Sequence, residues 1–121
     1  MFGRKNEKIV LTKTPRTVFV AVAFNGGGYM PYFEQCEYFE FHSVIEHKLR
    51  RKNMLSISDH QTEAAIDTLV KMKTDVVIAR GYGPKALHEL KALNIICYAF
   101  EGGAHAAFKA YLDGSIKAYR V

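Results

Sequence analysis

The distribution of apolar and polar positions along the chain changes period several times, and each change marks an element. Thr17–Phe24, TVFVAVAF, is an almost unbroken β-prone run, the signature of a strand buried on both faces. Glu37–Glu46 alternates instead: Phe39, Phe41, Ser43 and Ile45 point one way, Glu40, His42, Val44 and Glu46 the other. A period of two predicts a strand with one wetter face. Lys48–Asn53 (KLRRKN) reads as a charged turn and Met54–Ile57 as a short returning strand, so 37–57 is a hairpin. His42, His47 and His88 are expected on solvated faces.

The period then lengthens. Ser58, with Gln61 three residues later, fits a capping box, and Ala65, Ile66, Leu69 and Val70 form an apolar stripe that ends near Lys73. Asp75–Ala79 is a second buried strand. Pro84–Leu93 is a helix, with Pro84 at a first position where its missing N–H costs nothing and Leu87, Leu90 and Leu93 facing inward. Ile95–Phe100 is a further strand, and Ala104–Leu112 a last helix stopped by Asp113-Gly114. The predicted order is β-β-β-α-β-α-β-α. Right-handed crossovers make the first, fourth and fifth strands parallel, while the hairpin adds antiparallel neighbours. The expected fold is an α/β domain with a five-stranded mixed sheet covered by helices.

Three glycine-bearing loops fall at the carboxyl ends of the parallel strands: Asn25–Phe33, Gly81–Pro84 and Glu101–Gly103. In open sheets that edge is where ligands bind. Gly81-Tyr82-Gly83-Pro84-Lys85-Ala86 spells G-x-G-x-x-A, and Glu101 follows Gly83 at about the distance of a ribose-binding acid. Topology argues against a dinucleotide site. The loop comes two-thirds of the way along the chain, a hairpin precedes it, and only one strand follows it. G-x-x-x-x-G-K-[ST], the spelling of a phosphate-loop NTPase, does not occur. No nucleotide is expected.

Charge and composition narrow the picture further. The chain has 121 residues, enough for one domain with a real core, and a net charge of +5. Arg4, Lys5, Lys8, Lys13 and Arg16 against Glu7 put +4 of that in residues 1–16, leaving 17–121 nearly neutral. The expected division is therefore a basic leader, 1–16, and a single domain, 17–121. A nucleic-acid partner is not expected. Two cysteines are too few for a disulfide scaffold, and no secretory signal or membrane span is read, so the expected compartment is the cytoplasm.

The segment IARGYGPKALHELKALNIICYAFEGG…FKAYLDGSI closely resembles the dinitrogenase iron–molybdenum cofactor biosynthesis (nitrogenase accessory factor) family. Gly81-Tyr82-Gly83-Pro84-Lys85-Ala86-Leu87, Glu101-Gly102 and Ala110-Tyr111-Leu112-Asp113-Gly114 carry the likeness, which spans roughly residues 17–119. It implies a ribonuclease H-like domain that carries or holds iron–sulfur or iron–molybdenum precursors. Where the family has His-Phe-Gly after its first loop, this chain has Tyr32-Phe33-Glu34, and His60-Gln61-Thr62 replaces a glycine-rich start to the first helix.

The residues suggest how such a cargo could be held. Glycine amides and the helix N-termini after Gly83 and Gly103 can face an anionic cluster. The expected contacts are Asn25, Gly26, Gly27, Gly28, Tyr32, Gly81, Tyr82, Gly83, Glu101, Gly102 and Gly103. Cys36 as a soft thiolate and His105 at the mouth of the edge are the candidate metal ligands, while Cys97 reads as core. Two-metal phosphoryl chemistry needs converging carboxylates, yet TVFVAVAF contains no acid and Asp75 stands at the wrong end of its strand. A non-enzymatic cluster carrier, working with a donor or acceptor protein, is the expected function. A cofactor-free scaffold or regulatory domain docking a partner is the alternative.

Overall fold

The structure, a computed structural model, describes residues 17–26, 29–46, 48–56, 62–116 and 118, with the backbone alone at 49–56. Strands β1 (Thr17–Phe24), β2 (Tyr38–Ile45), β3 (Lys48–Ser56), β4 (Val76–Ala79) and β5 (Ile96–Ala99) form one sheet in the order β3-β2-β1-β4-β5. The helices are α1 (Thr62–Lys71), α2 (Pro84–Ala92) and α3 (Ala104–Asp113). As expected, β1 runs antiparallel to β2 and parallel to β4, and β4 parallel to β5.

β1 is the hinge between two cores because its side chains alternate. Ala21 and Ala23 join the apolar cluster with Ala65, Ile66 and Leu69 of α1 and Ala86, Leu87 and Leu90 of α2. Val20 and Val22 join the opposite cluster with Ala107 and Phe108 of α3. Helices thus cover both faces, which explains a central strand without a polar face. Gly114, at φ 79°, supplies the left-handed C-cap that stops α3.

Three sequence expectations are corrected. KLRRKN is not a turn: β3 begins at Lys48, pairs with β2 along its length, and the register shifts between Ser43 and Val44. His42 is not solvated. It is 3 % exposed and stacks on Phe108 of α3 at 3.8 Å between ring centroids, so the wetter face of β2 is partly roofed. Its Nε2 lies 2.9 Å from the Glu40 carboxylate. Leu93 is the C-cap of α2 rather than an inward residue and is 46 % exposed. The capping box at Ser58 and Gln61 lies outside the described residues, as do His47, His60 and the leader.

Leu90 and Leu93 therefore differ sharply in what truncation removes. Leu90→Ala is expected to lower unfolding free energy by about 2–5 kcal/mol, and Leu93→Ala by less than about 1 kcal/mol. Urea titration of the two variants checks this, and equal losses would place Leu93 in the core after all.

Candidate functional site at the loop rim of the sheet

The three loops do converge on one rim, and they are stitched to one another through the backbone. A polar group at a strand end must find a partner when it is covered, and here the neighbouring loop supplies it. Met30 N–H donates to Gly102 O at 3.1 Å, Phe33 N–H to Gly81 O at 2.9 Å, and Arg80 N–H to Pro31 O at 2.9 Å. Tyr29 and Gly103 form an isolated antiparallel bridge. The segment after β1 is held down from both sides: Met30 enters the α3-side core, while Phe33 is fully buried in the α1–α2 side.

A short 3-10 turn, Phe33–Gln35, then places Glu34 at the start of α2. Gly83 N–H donates to Glu34 Oε2 at 2.6 Å. A carboxylate belongs at a helix N-terminus, where unpaired N–H groups and the helix dipole favour negative charge. In this chain an internal acid occupies that position. A Cβ at Gly83 would meet the Glu34 carboxylate, which would have to move aside. Gly81 is equally constrained: a Cβ there would come within 2.8 Å of the Tyr32 ring.

Asn25 anchors the other side of the rim. Its Oδ1 accepts from Glu37 N–H at 2.8 Å, and its Nδ2 donates to Gln35 O at 3.4 Å. Gly26 N–H donates to Glu37 Oε1 at 3.3 Å. The amides of Asn25, Gly26, Met30, Phe33, Arg80 and Gly83 are thus already engaged within the chain. The expectation that the glycine loops turn their amides outward is corrected at Gly26 and Gly83. Gly27 and Gly28 lie outside the described residues.

The remaining expected residues separate into exposed and buried groups. Tyr32 is exposed at the rim, as is its neighbour in the loop, Tyr29. Glu101 is exposed and pairs with Arg80, Oε2 to Nη2 at 2.8 Å, and the Arg80 guanidinium lies over the Tyr32 ring at 5.6 Å. Tyr82, expected to line the cleft, is 6 % exposed instead. Its ring stacks on Phe33, and its hydroxyl lies 2.7 Å from Tyr98 O and 3.0 Å from Val77 O. Burial pushes that phenol well above its ordinary pKa.

The two candidate metal ligands are not brought together. Cys36 is 2 % exposed within the α1–α2 core, whereas His105 is exposed on the first turn of α3, the helix on the opposite face. Burial, opposed by a backbone hydrogen bond, pushes the Cys36 thiol from 9.0 up to about 12. An accessible thiolate at pH 7 is therefore not what this fold presents. Cys97 is core as expected, its thiol raised to about 11 mainly by burial. Among the described residues no three His, Cys, Asp or Glu side chains are grouped to hold a metal ion. A groove of about 240 Å³ beside the rim is lined by Glu34, Thr62, Glu63, Lys85, Ala86 and Glu89. Three carboxylates against one lysine give it the wrong sign for an anionic guest. Sequence reasoning missed Glu34 and Arg80, although Glu34 stands where the resembling family has glycine.

With this geometry established, comparison with known proteins defines the class. The family model for dinitrogenase iron-molybdenum cofactor proteins matches residues 16–114. The chain belongs to that family. Comparison with curated proteins finds no match. Among solved structures, the chain is similar to a protein from Methanocaldococcus jannaschii assigned as a dinitrogenase, at 15 % identity and a TM-score of 0.71, covering 86 % of this chain and 96 % of that one. It is also similar to the apo form of the orange protein from Desulfovibrio gigas, at 20 % identity and a TM-score of 0.66, covering 88 % and 96 %. A Thermotoga protein assigned as a NifB protein matches at 22 % identity and a TM-score of 0.64, covering 84 % and 92 %. At these identities the likeness is one of fold. No helix among the described residues is long and apolar enough to cross a membrane.

Raised thiols also have a consequence for stability. A group whose pKa is higher in the folded state favours folding fully below its unfolded value, and the contribution disappears as pH climbs through the folded value. For Cys36 that window runs from about pH 9 to about 12. Unfolding free energy is expected to fall across it, and less steeply in Cys36→Ala. Parallel slopes in the two proteins would show that Cys36 is not the titrating group.

Proposed function

We propose that this protein holds an anionic metal–sulfur cargo, an iron–sulfur or iron–molybdenum precursor, at the loop rim and passes it between a donor and an acceptor protein. It does so without catalysing chemistry on it, in the cytoplasm. The observation that carries the reading is the convergence of the three loops on one rim in a member of the iron–molybdenum cofactor family. The strand order β3-β2-β1-β4-β5 supports a ribonuclease H-like frame.

Two features support a carrier over a hydrolase on that frame. β1 presents only apolar side chains and one threonine. Asp75 lies at the opposite end of the sheet from the rim, where its carboxylate accepts from Phe19 N–H at 3.0 Å. The burial of Cys36 also shapes the proposed mode of holding. Ligation by its thiolate requires the α1–α2 core to open, so cargo is held at the rim by charge and shape, weakly enough to be surrendered.

Anaerobic incubation with ferrous iron, sulfide and molybdate, followed by gel filtration, tests the proposal. The protein is expected to elute with metal and with visible metal–sulfur absorption, and Cys36→Ser to retain both. Metal and sulfide eluting apart from wild-type protein would contradict the carrier reading and favour a cofactor-free scaffold.

A further inference from the structure

We infer that Arg80 is the anion-contacting residue of the rim, and that Glu101 is an internal placeholder which an incoming multiply charged anion displaces. This deepens the cargo reading and rests on it. The starting point is the state of the rim's donors. The backbone amides of Met30, Phe33, Arg80 and Gly83 already donate to loop carbonyls or to Glu34. The start of α2 is neutralised by the Glu34 carboxylate. Beside these loops Arg80 holds a full positive charge at the surface, its side chain 43 % exposed.

Arg80 is prepared for this role by its surroundings. Its backbone is tied to Pro31, and its guanidinium lies over the Tyr32 ring. Tyr32 in turn approaches Gly81 so closely that a Cβ there would collide with it. A guanidinium held over a ring and paired to a carboxylate has lost part of its rotamer freedom before any ligand arrives, so less is lost on binding. It carries five N–H donors in a planar fork suited to oxyanions.

Glu101 engages that fork through a contact of 2.8 Å and is 77 % exposed. Ion pairs between such exposed groups are weak in water. A compact dianion brings more charge and more acceptor atoms than a single carboxylate, and so competes for the same donors. Glu101 precedes Gly102, whose φ of 141° is open essentially to glycine alone. That backbone sets the position from which the carboxylate reaches Arg80.

Molybdate binding to the full chain, measured by calorimetry at constant ionic strength, tests this. Glu101→Gln is expected to bind about threefold to tenfold more tightly than wild type, and Arg80→Ala at least about tenfold more weakly. Circular dichroism and thermal unfolding confirm that each variant is folded. Arg80→Lys, which keeps the charge but loses the planar fork, is expected to fall between wild type and Arg80→Ala. Equal affinities in Glu101→Gln and Arg80→Ala, including no binding by either, would overturn the inference. Cluster loading run in parallel separates the two proposals. Equal loading of wild type and Arg80→Ala removes Arg80 while leaving the carrier reading intact. The expected molybdate ranking without any cluster loading does the reverse.

Discussion

Everything at the rim depends on how the ends of three parallel strands satisfy their backbone polar groups. Parallel strands that stop together leave N–H and C=O groups needing partners where loops cover them. This chain resolves the problem by laying residues 29–34 across the rim and pairing them with both neighbouring loops. Met30 and Phe33 then sink into opposite cores, so the crossing segment is fixed by apolar burial as well as by hydrogen bonds.

That arrangement changes the electrostatics inferred from glycine-rich loops alone. Glycines at a strand-to-helix turn suggest amides free to meet an anion. Here Gly81 and Gly83 instead admit other parts of the chain, the Tyr32 ring and the Glu34 carboxylate. What the rim presents is consequently an exposed guanidinium lying over the Tyr32 ring. Under the proposed carrier role, such a surface would favour holding and release over tight coordination, in keeping with the burial of Cys36.

Much of the fold was legible because hydrophobic period is a local signal. TVFVAVAF and VVIA could only be strands with both faces covered, and Pro84 marked the start of α2. β3 was misread because edge strands carry charges as a defence against edge-to-edge pairing, and KLRRKN looks like a turn for that reason. His42 was misplaced because its roof, Phe108, comes from a helix 66 residues further on. The site was less legible for the same physical reason. Glu34 meets Gly83 across 49 residues, and Arg80 meets Glu101 across 21, distances at which no local pattern operates. Tyr82 sits inside a loop spelling, yet its ring turns down to stack on Phe33.

The central claim is the crosswise stitching of the three loops, and amide hydrogen exchange reads it directly. Met30, Phe33, Arg80 and Gly83 are expected to exchange at least about a hundredfold more slowly than in an unstructured chain, with Gly83 released selectively in Glu34→Ala. Exchange of all four at the unstructured rate, in protein whose β1 and β4 amides remain protected, would show that the loops do not meet.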